Sequence, residues 1–168
     1  MLQSTIAFLL ALAAVSDASN FRQEGRDLGQ MLPTAGNSAA LLARVNQERS
    51  AHGLRALCSN NKLQAAAQRH AKDQSKSDYM SDTGTDNSTP KSRVTDAGYK
   101  WQTVAENIDA GNVNADAVVD WWMQNDSRDN VLGKYTMAGS AYVYNEEMYS
   151  KYYWVLVFAT GSSEECDA

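Results

Sequence analysis

Hydrophobic residues fall along this chain in blocks of different period, and the period of each block predicts its element. The first block is unbroken: Ile6 to Val15 is wholly apolar, with small residues following at Ser16 and Ala18. A membrane-spanning helix needs about 20 apolar residues, which this run does not reach. Its length and flanks predict a secretory signal peptide over residues 1–18. Residues 19–37 are polar, carry Gly25, Gly29 and Gly36, show no period, and are expected to form a flexible leader ahead of a single domain over 38–168.

Helical spacing takes over from Ser38, a predicted N-cap, with Leu41, Leu42 and Val45 on one face and Gly53 as the stop. A second helix is expected from Ser59 or Asn60 to about Ser75. Its stripe is Leu63, Ala66, Ala67, His70, Ala71 and Gln74, at i, i+3, i+4, i+7 spacing. The Ser/Thr/Asp/Gly-rich stretch 78–89 reads as a loop, after which Thr89-Pro90 opens a short helix closed by Gly98. Tyr99 to Ile108 is read as extended. Asn114 caps a fourth helix whose apolar face is expected to be Ala117, Val118, Trp121 and Trp122. The last third changes to β-branched and aromatic residues. Met137–Tyr144 and Tyr152–Ala159, separated by polar residues 145–151, predict an antiparallel hairpin. Helices followed by a hairpin imply an α+β fold, with helices flanking an antiparallel sheet.

Composition narrows the partners. The net charge of −5 becomes −4 once Asp17 leaves with the signal peptide, and no basic cluster is present. Nucleic acid and anionic membrane surfaces are therefore poor partners. No later stretch reaches spanning length, so no transmembrane segment is expected in the mature chain, which is expected outside the cell. In that oxidising compartment the two cysteines, Cys58 and Cys166, are expected to be bridged. Asn87-Ser88-Thr89 and Asn125-Asp126-Ser127 fit the N-glycosylation pattern.

The order of motifs resembles a known family. The series is Val45-Asn46-x-Glu48-Arg49 with Gly53-Leu54; Leu63-x-x-Ala66-Ala67-x-x-His70-Ala71; Arg93 with Gly98-Tyr99; Ala105-Glu106-Asn107-Ile108; Val119-x-Trp121; Asn130-Val131-Leu132; and Tyr152-Tyr153-Trp154-Val155-x-Val157-Phe158. It is similar to the CAP superfamily of cysteine-rich secretory proteins, antigen 5 and pathogenesis-related protein 1, also called SCP-like extracellular proteins. The resemblance covers about residues 39–160, falls nearest the few-cysteine bacterial and lower-eukaryotic branch, and implies a three-layer α–β–α sandwich.

The resemblance also implies a cleft of two His and two acids able to hold a divalent cation such as zinc. Here that cleft is poorly kept. Glu106 matches the Glu of the Glu-Asn-Ile motif and is the best candidate metal ligand. Asp82, in Ser81-Asp82, stands where the first cleft His is expected. The second cleft His is replaced by Ser127 or, in an alternative alignment, by Lys134, and the second acid by Gln124. Each candidate has a plain counter-reading. Glu106 is either a cleft carboxylate or a half-buried organiser of its loop. His70 lies on the helix stripe and reads first as a packed side chain, Asp82 as a solvated loop acid, and His52 as a helix C-terminal residue. Asp82 with Glu106 would suit calcium or magnesium better than zinc. Ser127 has no nearby His to form a triad. The sequence reading is a secreted CAP protein that binds a lipid, a sterol or an extracellular protein, without catalysis. The rivals are a metal-dependent hydrolase using Glu106 and a purely structural extracellular domain.

Overall fold

The computed structural model describes residues 36–167. The predicted signal peptide and residues 19–35 of the predicted leader lie outside the described residues. The elements are α1 (36–51), β1 (Cys58–Ser59), α2 (Asn61–Ser77), α3 (Pro90–Asp96), β2 (Thr103–Ala110), α4 (Ala115–Met123), α5 (Arg128–Val131), β3 (Met137–Tyr144) and β4 (Tyr152–Thr160).

The sheet has four strands in the order β1-β3-β4-β2. The predicted hairpin, β3 with β4, is its centre, and β2 pairs antiparallel with the other edge of β4. The two-residue β1 pairs parallel with β3. Strand β4 alternates between two cores because side chains on a strand point to opposite faces. Trp154, Leu156 and Phe158 enter a core with Leu41 and Val45 of α1, Val118, Val119 and Trp122 of α4, and Val131 of α5. Val155, Val157 and Ala159 enter another with Leu63, Ala66, Ala67 and Ala71 of α2 and Val94 of α3. The result is the α–β–α layering that the motif order implied.

Local signals explain most boundaries. Asn60 Oδ1 accepts from the Lys62 and Leu63 backbone N–H groups at 3.0 and 3.2 Å and starts α2. Thr89 and Ser92 form a capping box on α3, with Pro90 in the first turn. Gly53, at φ +71°, ends the first helix, with the Leu54 N–H returning to the Arg49 carbonyl at 2.8 Å.

Three expectations are corrected. Helix α1 already includes residue 36, so Gly36, Asn37 and Ser38 are helical and Ser38 is not the cap. Tyr99 is a buried core residue ahead of β2, and the strand itself starts at Thr103 and runs to Ala110. On α4 the buried face is Ala115, Val118, Val119 and Trp122, while Trp121 is 55 % exposed. The helix starts after the expected Asn114 cap, but its inner face is rotated by one position, so Val119 is buried where Ala117 and Trp121 were expected.

Cys58 of β1 is bonded to Cys166, with Cα atoms 5.6 Å apart. Among the described residues, no helix is long and apolar enough to cross a membrane.

Candidate functional site

The site forms where α2, α3, β2 and the loop between α2 and α3 meet. Strand alternation turns Glu106 towards the α2/α3 layer, with Val104 and Ile108 on the same side, and sends Asn107 to the opposite face. The Glu106 side chain is 1 % exposed. Arg93, on the inner side of α3, donates from Nη2 to Glu106 Oε1 at 2.7 Å. The same guanidinium donates to the Asp82 carbonyl at 2.9 Å, the Ser88 carbonyl at 2.9 Å and the Ser88 hydroxyl at 3.2 Å. Arg93 therefore fastens the loop 78–89 and the cleft carboxyl together.

His70 lies beside this pair, fully buried on α2. Its Nε2 is 2.9 Å from the Ser81 carbonyl and 3.7 Å from Glu106 Oε1. A carbonyl accepts only, so the neutral ring carries its proton on Nε2. Nδ1 is left as a buried lone pair without a donor. The Tyr79 ring packs edge-on against the imidazole at a 6.2 Å centroid distance.

Burial dominates the electrostatics. It pushes the His70 imidazole down to about 4, helped by the positive Arg93. It pushes the Glu106 carboxyl up to about 8, reinforced by the charge of Asp82 and opposed by Arg93. Glu106 Oε2 and Arg93 Nε are both buried without a hydrogen-bond partner.

The opposite face of β2 organises α5. Asn107 Nδ2 donates to the Ser127 carbonyl at 2.9 Å, and Asn130 Nδ2 donates to Asn107 Oδ1 at 2.8 Å. Of the residues singled out by sequence, Glu106 and His70 come together, and Asp82 joins them through its backbone carbonyl, its residue being exposed. Ser127 reaches the neighbouring Asn107 through its carbonyl, whereas the exposed Lys134 has no hydrogen bond to the site among the described residues. Gln124 is the exposed C-cap of α4. His52 accepts no place in the site: Nδ1 is 2.8 Å from the Glu48 carbonyl of its own helix, and Nε2 is 3.3 Å from Arg128.

A zinc ion of the kind the family resemblance implies does not fit these residues. Among the described residues, no three His, Cys, Asp or Glu side chains gather as a metal-binding group. The Glu106 carboxyl shares an oxygen with a guanidinium, and its high proton affinity opposes metal ligation, which needs the deprotonated form. His70 Nε2 is committed to a carbonyl.

Arg93 is the residue to which the sequence assigned no role. Its signal was a cation next to the apolar Val94 on a short helix, one turn after a Thr-Pro cap.

Comparison with known proteins agrees with the fold. No curated protein matches the sequence. An extracellular protein containing an SCP domain from Bacillus anthracis is 25 % identical, with a TM-score of 0.67 over 76 % of this chain and 41 % of its own. A cysteine-rich secretory protein from Staphylococcus aureus is 20 % identical, with a TM-score of 0.62 over 76 % of this chain and 39 % of its own. This chain thus spans about two fifths of the length of those two proteins. An outer surface protein from Borrelia burgdorferi is 16 % identical, with a TM-score of 0.68 over 74 % of this chain and 92 % of its own. The latter two likenesses concern the fold alone. The profile of the cysteine-rich secretory protein family, CAP, matches residues 42–158, more than half of the chain, and the chain belongs to that family.

Proposed function

We propose that this CAP-domain protein is secreted and acts by binding an extracellular partner, with its ancestral metal cleft closed from within. The observation that carries the reading is the buried contact of Arg93 with Glu106 at 2.7 Å. A fixed guanidinium on the only buried carboxyl of the cleft supplies positive charge where a divalent cation would otherwise sit. It also removes an accessible base, since His70 is fully buried and Glu106 nearly so.

Between a lipid or sterol and a cell-surface partner, the exposed side chains favour the surface partner. Met80, Tyr144 and Tyr149 are 57, 49 and 95 % exposed. They lie near the C-terminal end of α2 and the β3–β4 turn, which Asp78 joins by accepting from the Tyr149 N–H at 3.0 Å and the Tyr153 hydroxyl at 2.5 Å.

The test is calorimetric titration of the mature protein with zinc and then calcium, beside Asp82→Asn and Glu106→Gln. The expected outcome is no saturable heat with either metal. Micromolar or tighter zinc binding that both substitutions weaken would overturn the reading and restore the metal-dependent hydrolase.

A further inference from the structure

We propose that Asn87, and not Asn125, is the residue of this protein that carries an N-linked oligosaccharide; the inference rests on the secretion reading above. Both asparagines stand in the Asn-x-Ser/Thr pattern. The fold treats them in opposite ways.

Asn87 lies in the loop between α2 and α3. It is exposed and sits at φ +62°, the left-handed region that Asn tolerates better than most residues. Its backbone N–H is used, donating to the Gly84 carbonyl at 2.9 Å, but its side-chain amide has no hydrogen bond within the described residues. The backbone is thus held while the side chain is free in solvent. Ser88, next to it, is gripped by Arg93 through carbonyl and hydroxyl. A sugar on Asn87 would leave every one of these contacts in place.

Asn125 is half-buried, and both ends of its amide are occupied. Nδ2 donates to the Trp121 carbonyl at 2.6 Å, and Oδ1 accepts from the Ser127 N–H at 3.1 Å. These bonds close the turn from α4 into α5, the helix that Asn107 and Asn130 fasten to β2. An oligosaccharide on Nδ2 would have to share its attachment atom with the helix carbonyl that atom already contacts.

In the transfer itself, Asn87 Nδ2 attacks the anomeric carbon of an oligosaccharide carried on a lipid pyrophosphate. The C–N bond forms as the C–O bond to pyrophosphate breaks, the amide loses a proton, and the lipid pyrophosphate leaves. Transfer takes place on the nascent chain, so the fold acts as a filter afterwards: chains modified at Asn87 fold with every contact kept and leave the cell, whereas a sugar on Asn125 must be accommodated on the amide nitrogen that contacts the Trp121 carbonyl, and chains modified there fold less well and are retained. The bulky, solubilising sugar then stands beside the loop that Arg93 fastens over Glu106.

The experiment expresses the full chain in a glycosylating eukaryotic host and recovers it from the medium. Enzymatic release of N-glycans in heavy-oxygen water marks each formerly modified Asn as labelled Asp, read by peptide mass spectrometry. The expected result is a label on Asn87 alone. It disappears in Asn87→Gly, which suits the left-handed backbone, and persists in Asn125→Gln. Secreted protein that is bare at Asn87, or labelled at Asn125, overturns the inference and leaves the secretion reading intact. Chain that stays in the cytosol without sugar overturns both.

Discussion

At the site, two buried groups are shifted in opposite directions, and this predicts a hidden pH dependence. His70 has a folded value of about 4, below its ordinary 6.5, so the unfolded chain takes up the proton first. Its contribution to stability is complete above pH 6.5 and is lost as the pH falls towards 4. Glu106 has a folded value of about 8, above its ordinary 4.5, so the folded chain holds the proton. Its contribution is complete below pH 4.5 and is lost as the pH rises through 8. Between pH 4.5 and 6.5 the two slopes oppose each other, and the wild type is expected to be nearly flat there. Glu106→Gln removes one slope. Urea unfolding of that variant, followed by tryptophan fluorescence, should then show about 3 kcal/mol lost from pH 6.5 to 4. His70→Gln should show the reverse, with stability falling as pH rises. The acids Asp73, Asp86 and Glu164 are held below their ordinary values, so their own losses begin only near the lower end of this range. If the double variant kept the acid slope of Glu106→Gln, His70 would not be its source. The partners of Glu106 were only half legible in the sequence. His70 is periodic with the α2 core and Glu106 sits in a motif, whereas the grip of Arg93 joins α3 to β2 and two loop carbonyls, a convergence that no local pattern encodes.

Among the glycines of the described residues, Gly139 of β3 has the least room for a side chain, because α2 lies directly on it. A Cβ added at Gly139 would lie 2.0 Å from the Leu63 carbonyl carbon and 2.1 Å from the Gln64 nitrogen. The small residues Ala66, Ala67 and Ala71 allow the helix to descend this far. Gly139→Ala should therefore cost about 3 kcal/mol, the upper end of the usual overpacking range, because backbone and not a flexible side chain must move. Gly98→Ala supplies the contrast. Nothing lies within 4 Å of the added Cβ, and the cost comes from φ +79° alone, about 1–2 kcal/mol. Thermal or urea unfolding of the two variants separates the mechanisms; equal losses would mean that α2 slides off β3 without resistance. The alanines of α2 announced close packing in the sequence, as the continuous β-branched and aromatic block of β4 announced a strand of the hairpin. The exposure of Trp121 was not legible. Adjacent residues of a helix point about 100° apart, so the narrow inner face of α4 buries only one of the two tryptophans, and Trp122 takes it with a hydrogen bond from Nε1 to the Ile108 carbonyl at 3.0 Å.

Across the whole molecule, the C-terminal tail is tied to the start of α2 in several ways at once. Cys166 is bonded to Cys58 at a sequence separation of 108. The Asp167 N–H donates to the Ser59 carbonyl at 2.9 Å, and Asn60 Nδ2 donates to the Glu165 carbonyl at 2.8 Å. Glu164 accepts from Lys62 Nζ and from the Lys100 N–H, each at 2.7 Å. These contacts exist only in the folded chain, whereas the bridge also restricts the unfolded one. In the loop-entropy account, closing about 100 residues is worth roughly 4–5 kcal/mol, and removal of native bridges typically costs 2–5 kcal/mol. The paired substitution Cys58→Ala with Cys166→Ala should therefore lower unfolding stability by about 2–5 kcal/mol while the folded tail stays in place. Amide exchange at Asp167 tells the two effects apart. Protection that falls only in step with global stability means that the hydrogen bonds hold the tail and the bridge acts through the unfolded state. Loss of protection at Asp167 with little change in global stability would mean the reverse: the bridge holds the tail, and the core beneath does not depend on it.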